Sequence, residues 1–492
     1  MALAGLVSAI AQPVLTPRNV ALGGGGSSYL TDYSANFYNP ANLLIQDRRR
    51  NIDVGLFITG TYFNAVQNFS DLEQQSGNLT DYLSAFEPGR YTISDADRLE
   101  ILEDNYIRDR NTSLHQTRLD LILLGFKWRN EDRAFSLALR NRISSSFEVG
   151  RGWYSNVLQD IGGVQSLDRS LTHRYQSLYE ISLGYSESFN FFSDMTPRLD
   201  EFYFGIAPKL VLGGAYQNAK WDNVYSTSGG INQLTQEFEY QASGNFGIAT
   251  DQYLNGVAAE TALTQNISDE IFNRYGIGIG LDIGFTYLIT LGNDLSTISN
   301  NNQQTNKSLR LSLSITDIGF VNYSENGIDL NITSDTTNVA SLPTGVASDA
   351  FVGAPGQFID FIDKYGAQNP FVLAQQERGD FSVLLPTALH AGALLEINRI
   401  KLMGDLSIGF TNNAFNSTKL VASAGIEIRP LKFLPIRAGT QLATELPNYF
   451  SFGTAIETQL WDLSIATQFV SRTFGDNPTI TGLTVAALQF HF

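Results

Sequence analysis

The stretch Tyr275 to Tyr287, YGIGIGLDIGFTY, decides the fold class. Every odd position is apolar (Tyr275, Ile277, Ile279, Leu281, Ile283, Phe285, Tyr287), whereas the even positions are glycine apart from Asp282 and Thr286. A period of two is that of a strand with one apolar face. This face carries no charge along its length and has aromatic residues at both ends, as in a strand that crosses a bilayer between aromatic girdles.

The pattern recurs. LRLSLSI (309–315) alternates leucine and isoleucine with Arg310, Ser312 and Ser314. LMGDLSIGF (402–410) and Leu420 to Ile428 each set an apolar face against polar residues that include Asp405 and Glu427. Charges keep to one face, the one a lumen needs. About fourteen such segments fall near 52–65, 118–129, 133–149, 176–189, 202–218, 274–290, 307–325, 381–398, 400–413, 418–430, 434–444, 448–459, 461–472 and 481–492. The expected fold is all-β, a transmembrane antiparallel β-barrel.

Loop lengths give an independent reading. Long connections (66–117, 150–175, 219–273, 326–380) follow the first, third, fifth and seventh segments, while those after the second, eighth and twelfth are a few residues. Outer-membrane barrels alternate long outer loops with short periplasmic turns in this way, with both termini periplasmic. The Asn/Gln-rich stretch 292–308 is an exception on the short side, read as a polar turn or a miscount. The acidic run 95–110, DADRLEILEDNYIRDR, reads as a solvated face or a short helix.

Composition narrows the function. A net charge of −17 argues against nucleic-acid binding. With no cysteine in 492 residues, disulfides and thiolate metal sites are excluded. His115, His173, His390 and His491 lack metal-ligand spacing, and serines are too numerous for a nucleophile to be chosen from sequence. No enzyme, metal or cofactor is expected. No run of eighteen apolar residues suggests a membrane helix. MALAGLVSAIAQ reads as the end of a secretory signal, residues 1–11, that lacks its basic region.

The region 12–50 shows no alternation and contains GGGGSSYLTDYSANFYNPANLL (23–44). Glycine and small residues pack tightly without forming a strand, and Asn-Pro initiates turns. A fourteen-strand barrel is too wide to be filled by its wall side chains, so an inserted segment is expected in the lumen. The alternative is an ordinary turn leading into the first strand.

These residues resemble the N-terminal signature of the long-chain fatty-acid transporter (FadL-like) barrels: a glycine-rich stretch, a polar segment with Asp, then Asn-Pro-Ala. The stretches 314–332, 383–397 and 430–457 resemble distant, uncharacterised members of that superfamily. The resemblance implies that 12–50 is a hatch plugging the barrel 51–492, with Gly23, Gly24, Gly25 and Gly26 as its compact turn and Asn39, Pro40 and Ala41 as its corner. It implies passive uptake of a hydrophobic small molecule across the outer membrane. The long loops depart from the best-known transporters and leave a second reading, a non-transporting docking subunit of a larger outer-membrane complex with protein partners; an open porin is a third.

The lumen-facing charges expected are Arg140, Arg142, Lys209, Asp282, Arg310, Lys401, Asp405, Glu427 and Arg429, which either fasten the hatch or select solutes. Pro208 interrupts an apolar strand and removes a ladder hydrogen bond, so a bulge or kink is expected there; in the FadL-like family a strand kink makes a lateral exit. The last segment ends with Leu488, Phe490 and Phe492 on one face, and this terminal aromatic resembles the signal read by the barrel-assembly machinery, the partner expected besides membrane lipid.

Overall fold

The computed structural model describes residues 14–45, 51–64, 94–106, 111–130, 132–161, 163–189, 200–266, 273–291, 307–347, 357–373, 375–443, 449–470 and 479–492. The wall strands are β1 (Ile52–Asn64), β2 (Thr112–Arg129), β3 (Arg133–Gly150), β4 (Leu171–Phe189), β5 (Asp200–Ser228), β6 (Gly276–Thr290), β7 (Lys307–Tyr323), β8 (Ala388–Ile397), β9 (Ile400–Gly409), β10 (Val421–Leu431), β11 (Leu434–Ala443), β12 (Tyr449–Glu457), β13 (Trp461–Val470) and β14 (Thr479–His491). Each pairs antiparallel with the next, and β14 pairs back onto β1, closing a 14-strand barrel without edges.

The alternation seen in the sequence becomes the two faces of the wall. Ile277, Ile279, Leu311, Leu313, Leu406 and Phe452 are exposed, while their neighbours Asp282, Arg310, Asp405 and Glu427 are buried inside. A transmembrane barrel demands this arrangement, because lipid takes the apolar face and only the interior tolerates charge. Near the short turns, outward rings contact from strand to strand: Trp128 with Phe135 (5.8 Å), Phe135 with Tyr185 (5.2 Å), and Phe204 with Phe285 (5.1 Å).

The wall is lopsided. β5 runs for 29 residues, whereas β8 to β13 have 9 to 11. Several strands are longer than their alternation announces: β2 starts at Thr112, β4 at Leu171, and β5 continues to Ser228, because above the lipid both faces find partners and the apolar-out rule lapses. The upper half of β5 pairs with Ile231–Ser243, which pairs with Ile328–Val339, which in turn pairs with Gln375–Arg378. The long connections therefore contain strands of their own. Trp221, Phe238 and Tyr240 on one face of this outer sheet pack against the helices Asn245–Leu254, Gln357–Tyr365 and Pro370–Leu373, with Phe238 and Phe371 4.9 Å apart. The helix Asp95–Asn105 forms within the acidic run. Most of the stretch 292–308 lies outside the described residues.

Candidate functional site: the occupied lumen

Residues 14–45 are buried throughout and touch the wall from opposite sides, so they occupy the barrel interior. Three short helical turns follow one another, each capped from its own sequence. Thr16 caps Pro17–Val20 in a capping box with Asn19, Asp32 accepts from the Ser34 amide ahead of Tyr33–Phe37, and Asn39 accepts from the Ala41 amide ahead of Pro40–Leu44. Proline at the first position of the last turn costs no hydrogen bond.

The glycine run has a specific task. Gly23 and Gly24 take φ of 81° and 85°, a left-handed conformation open to residues without Cβ. The turn they make aims the following donors at one wall carboxylate. The amides of Gly26 and Ser27 and the Ser27 hydroxyl donate to Asp405 Oδ2 at 3.2, 2.9 and 2.7 Å. Asn39 Nδ2 donates to the Ser27 carbonyl (2.8 Å) and to Thr286 Oγ1 (3.0 Å), and Asn42 Nδ2 to the same carbonyl (2.7 Å). Thus the two halves of the motif, GGGGSS and Asn-Pro-Ala, meet at Ser27 and share its backbone.

The wall makes room for this segment. A Cβ on Gly125 would strike the Tyr33 ring, on Gly205 the Pro40–Ala41 peptide, on Gly284 the Asn39 amide, on Gly439 the Leu22–Gly23 peptide, and on Gly453 the Ala21 methyl. These glycines lie on separate strands and form a belt on which the segment rests directly, its backbone at Gly205 and Gly439 and its side chains at the other three.

All nine charges expected on the lumen face point inward, in distinct groups. Arg140, Arg142, Lys209 and Asp282 join one network with Asp120, Glu180 and Asp317: Arg140–Asp120 is 2.5 Å, Arg142–Glu180 2.6 Å, Arg142–Asp317 2.9 Å and Lys209–Asp282 2.9 Å, with Lys209 also on Asp317. Arg310 and Lys401 share Glu396. Glu427 and Arg429 join Arg437 and Glu457, and Tyr29 of the segment donates its hydroxyl to Glu427. Asp405 stands apart, bound to the glycine run. Arg18 of the segment lies 3.3 Å from Asp32 and 3.2 Å from Asp462 of the wall. Burial pushes the phenols of Tyr29, Tyr33 and Tyr38 up, so they remain protonated.

The first network is sandwiched. The Arg140 guanidinium sits 4.8 Å over the Phe37 ring of the segment, and the Arg142 guanidinium 4.8 Å over Phe415. Phe415 belongs to the connection between β9 and β10, which folds into the lumen and reaches β2 and β3, half-way round the barrel. There the Ala414 carbonyl accepts from Gln116 Nε2 (2.9 Å) and Ser144 Oγ (2.5 Å). Sequence reading missed this inward tongue and assigned 400–413 and 418–430 to strand. It also missed Asp317. That residue takes φ 58° at the bulge between Ile315 and Ile318, and the signal was present: in SITDIGF two polar residues stand together and break the period of two.

Pro208 lies within β5. It faces outward in register with Leu281 of β6. Opposite β4 the ladder omits the pairs at Ala207 and Pro208 but resumes in the same register, so no residue is inserted there. Register shifts lie elsewhere in the wall, among them those at Ile122/Leu124, Gln176/Leu178 and Ile315/Ile318. Phe490 pairs with Val54 and Trp461, and Phe492 is exposed at the end of the outward face.

Fold and lumen together define a transmembrane β-barrel of the outer-membrane type with an N-terminal segment inside. Residues 49–467 match a family of unknown function (DUF5723), and the chain belongs to that family. No curated protein matches the chain. Among solved structures it is similar to the toluene transporter TodX of Pseudomonas putida (13% identity, 98% of this chain and 99% of that chain, TM-score 0.44) and to the toluene transporter TbuX of Ralstonia pickettii (13%, 98% and 99%, 0.41). It is also similar to a Pseudomonas aeruginosa FadL homologue (10%, 98% and 98%, 0.37). The fold assignment rests on the strand pairing of the chain itself.

Proposed function

We propose that the protein is an outer-membrane barrel for passive uptake of hydrophobic small molecules, with residues 12–50 as a hatch that seals the lumen at rest. Short turns and both termini face the periplasm in this reading, and the long loops face outward. One observation carries it: the segment meets the wall through hydrogen bonds and ion pairs at Asp405, Thr286, Glu427 and Asp462. Water can take over such contacts when the segment moves, which an apolar seal would not allow. On the outer-loop side of the Arg142–Asp317 pair, Tyr216, Tyr323 and Phe381 form an inward aromatic patch with centroids 5.1 to 5.6 Å apart, a resting place for an apolar ligand. The experiment is native mass spectrometry of the protein extracted from its own membrane. A hydrophobic ligand of less than a kilodalton on a lone barrel supports uptake.

The second reading, a docking subunit of an outer-membrane complex, draws support from the outer layer. Its core of Trp153, Trp221, Phe238 and Phe361 makes the long loops a folded surface. A stoichiometric protein partner with an empty lumen would decide for it.

A further inference from the structure

We infer that the tongue between β9 and β10 is a second gate and that the charge network between tongue and segment couples the two, so that Leu15 is released from Asp120 when Phe415 leaves Arg142. The inference rests on the hatch reading of residues 12–50. β8 and β9 are joined by a short turn at Asn398, so the tongue enters the lumen from the long-loop side. β3 runs from its short turn at Arg133 toward the same side, which sets Arg142 one step above Arg140 on the lumen face. The segment takes the lower cation and the tongue the upper one: the Arg140 guanidinium lies 4.8 Å from the Phe37 ring, and that of Arg142 4.8 Å from the Phe415 ring.

One carboxylate joins the two cations. Glu180 stands 2.6 Å from Arg142 and 3.4 Å from Arg140. Arg140 grips Asp120 through Nε at 2.8 Å and Nη2 at 2.5 Å, and Asp120 Oδ2, the oxygen that Nη2 holds, accepts the Leu15 amide at 3.0 Å. A second route leaves the tongue at Asn416. Its Nδ2 donates to the Thr387 carbonyl (2.8 Å), the Thr387 hydroxyl donates to the Asp317 carbonyl (2.7 Å), and the Asp317 carboxylate holds both Arg142 and Lys209. The Lys209 ammonium is 6.0 Å from the Phe37 ring, so this route also ends on the segment. Glu180 and Arg140 are fully buried, and a buried charge does not tolerate the loss of its partner. When Phe415 withdraws, water reaches Arg142 and takes over part of its pairing with Glu180. Glu180 then closes on Arg140 and draws the guanidinium away from its two-pronged grip on Asp120. Asp120 loses the aim that keeps Oδ2 on Leu15, and Phe37 loses its cation. The two pairings of Glu180 are the two-state element that tongue and segment both bias.

The test is hydrogen exchange of the full chain in phospholipid–detergent micelles, read at the Leu15 amide, with folding followed by heat-modifiable gel mobility. Phe415→Leu, which keeps apolar bulk and removes the ring, should speed exchange at Leu15 by about tenfold or more. The amides of Gly26 and Ser27, held by Asp405 outside this network, should keep wild-type rates. Phe415→Tyr, which keeps the ring, should keep Leu15 slow. In a Glu180→Gln background the step from Phe415 to Leu should no longer change Leu15; if that background does not fold, the Tyr and Leu variants decide. A Leu15 amide indifferent to Phe415→Leu in the folded protein, or a rise shared equally by Gly26 and Ser27, would make the tongue a static ceiling and overturn the inference. Because exchange is read without transport, this result is separate from deletion of residues 12–45, where an unchanged pore would sink the hatch itself.

Discussion

Substituting Gly205 by alanine places one methyl group against the Pro40–Ala41 peptide. On the wall side Gly205 is held between Gly284 of β6 and Ser186 of β4, and on the segment side the peptide is fixed by the Asn39 cap and by the Ser186 hydroxyl donating to the Ala41 carbonyl at 2.9 Å. Overpacking a tight interior costs about 1–3 kcal/mol, and with backbone on both sides the upper end, about 3, is expected. Lifting residues 40–45 off the wall instead would expose Leu43 and Leu44 at about 1.5–3 kcal/mol each. It would also break the Ser186 hydrogen bond, so the segment stays and the wall strains. Gly404 is the control. It faces the bilayer, nothing lies within 4 Å of its Cβ position, and Gly404→Ala should stabilise by about 0.5–1 kcal/mol through backbone entropy. Urea titrations of the two variants refolded into lipid vesicles should therefore differ by about 3–4 kcal/mol with unchanged slopes. Agreement within about 1 kcal/mol would mean that the lumen at Gly205 is not filled by the segment.

Three further outcomes follow from the lumen. Deleting residues 12–45 should raise leak conductance in planar bilayers; an unchanged, already open pore would sink the hatch. Arg142→Met leaves Glu180 and Asp317 short of a cation, a loss of about 3–5 kcal/mol visible as a lower temperature for the gel-mobility shift. Asp405→Ala leaves the Gly26 and Ser27 amides without their acceptor at a cost of about 1–3 kcal/mol. It should produce brief openings in single-channel records, and a silent trace equal to wild type would show that this contact does not hold the rest state.

The wall was legible because lipid outside and polar lumen inside impose a strict period of two. Each of the fourteen segments read from alternation overlaps one wall strand, and the long connections follow β1, β3, β5 and β7. Legibility failed where the two-faced rule ceases. Above the lipid, Trp221 and Phe238 pack under helices, so β5 and its partners lose alternation as a guide. The tongue at Phe415 was hidden for a different reason: NNAFNS looks like any polar turn, and only the tertiary approach to Arg118 and Arg142 gives it a role. In the lumen, the charges of one sequence segment were visible while their partners were not. Arg140 and Asp282 could be placed on a face, but that Asp317 reaches Arg142 depends on a bulge and on the curvature of the closed barrel.

A lumen built this way bears on how an occupied barrel can open at all. An apolar core loses its contacts and gains nothing when a segment leaves, whereas Asp405, Glu427 and Asp462 exchange protein donors for water and keep hydrogen-bond donors in either state. What opposes departure is then the set of apolar contacts, among them Leu22, Leu30, Tyr33 and Phe37 with Ile58, Ile122 and Met403, and Leu43 and Leu44 with Tyr203 and Leu288. At about 1.5–3 kcal/mol for each large side chain, their exposure exceeds what thermal motion supplies, so the segment should leave in parts rather than as a body. Residues 23–27, whose hold is mostly polar, are the part expected to move first. Hydrogen exchange should therefore be faster at the amides of Gly26 and Ser27 than at those of Tyr38 and Asn39, which bond within the segment to the Ala35 carbonyl. Equal and slow exchange at both sites would instead make the segment a permanent core, and any passage of a ligand would have to avoid the lumen it fills.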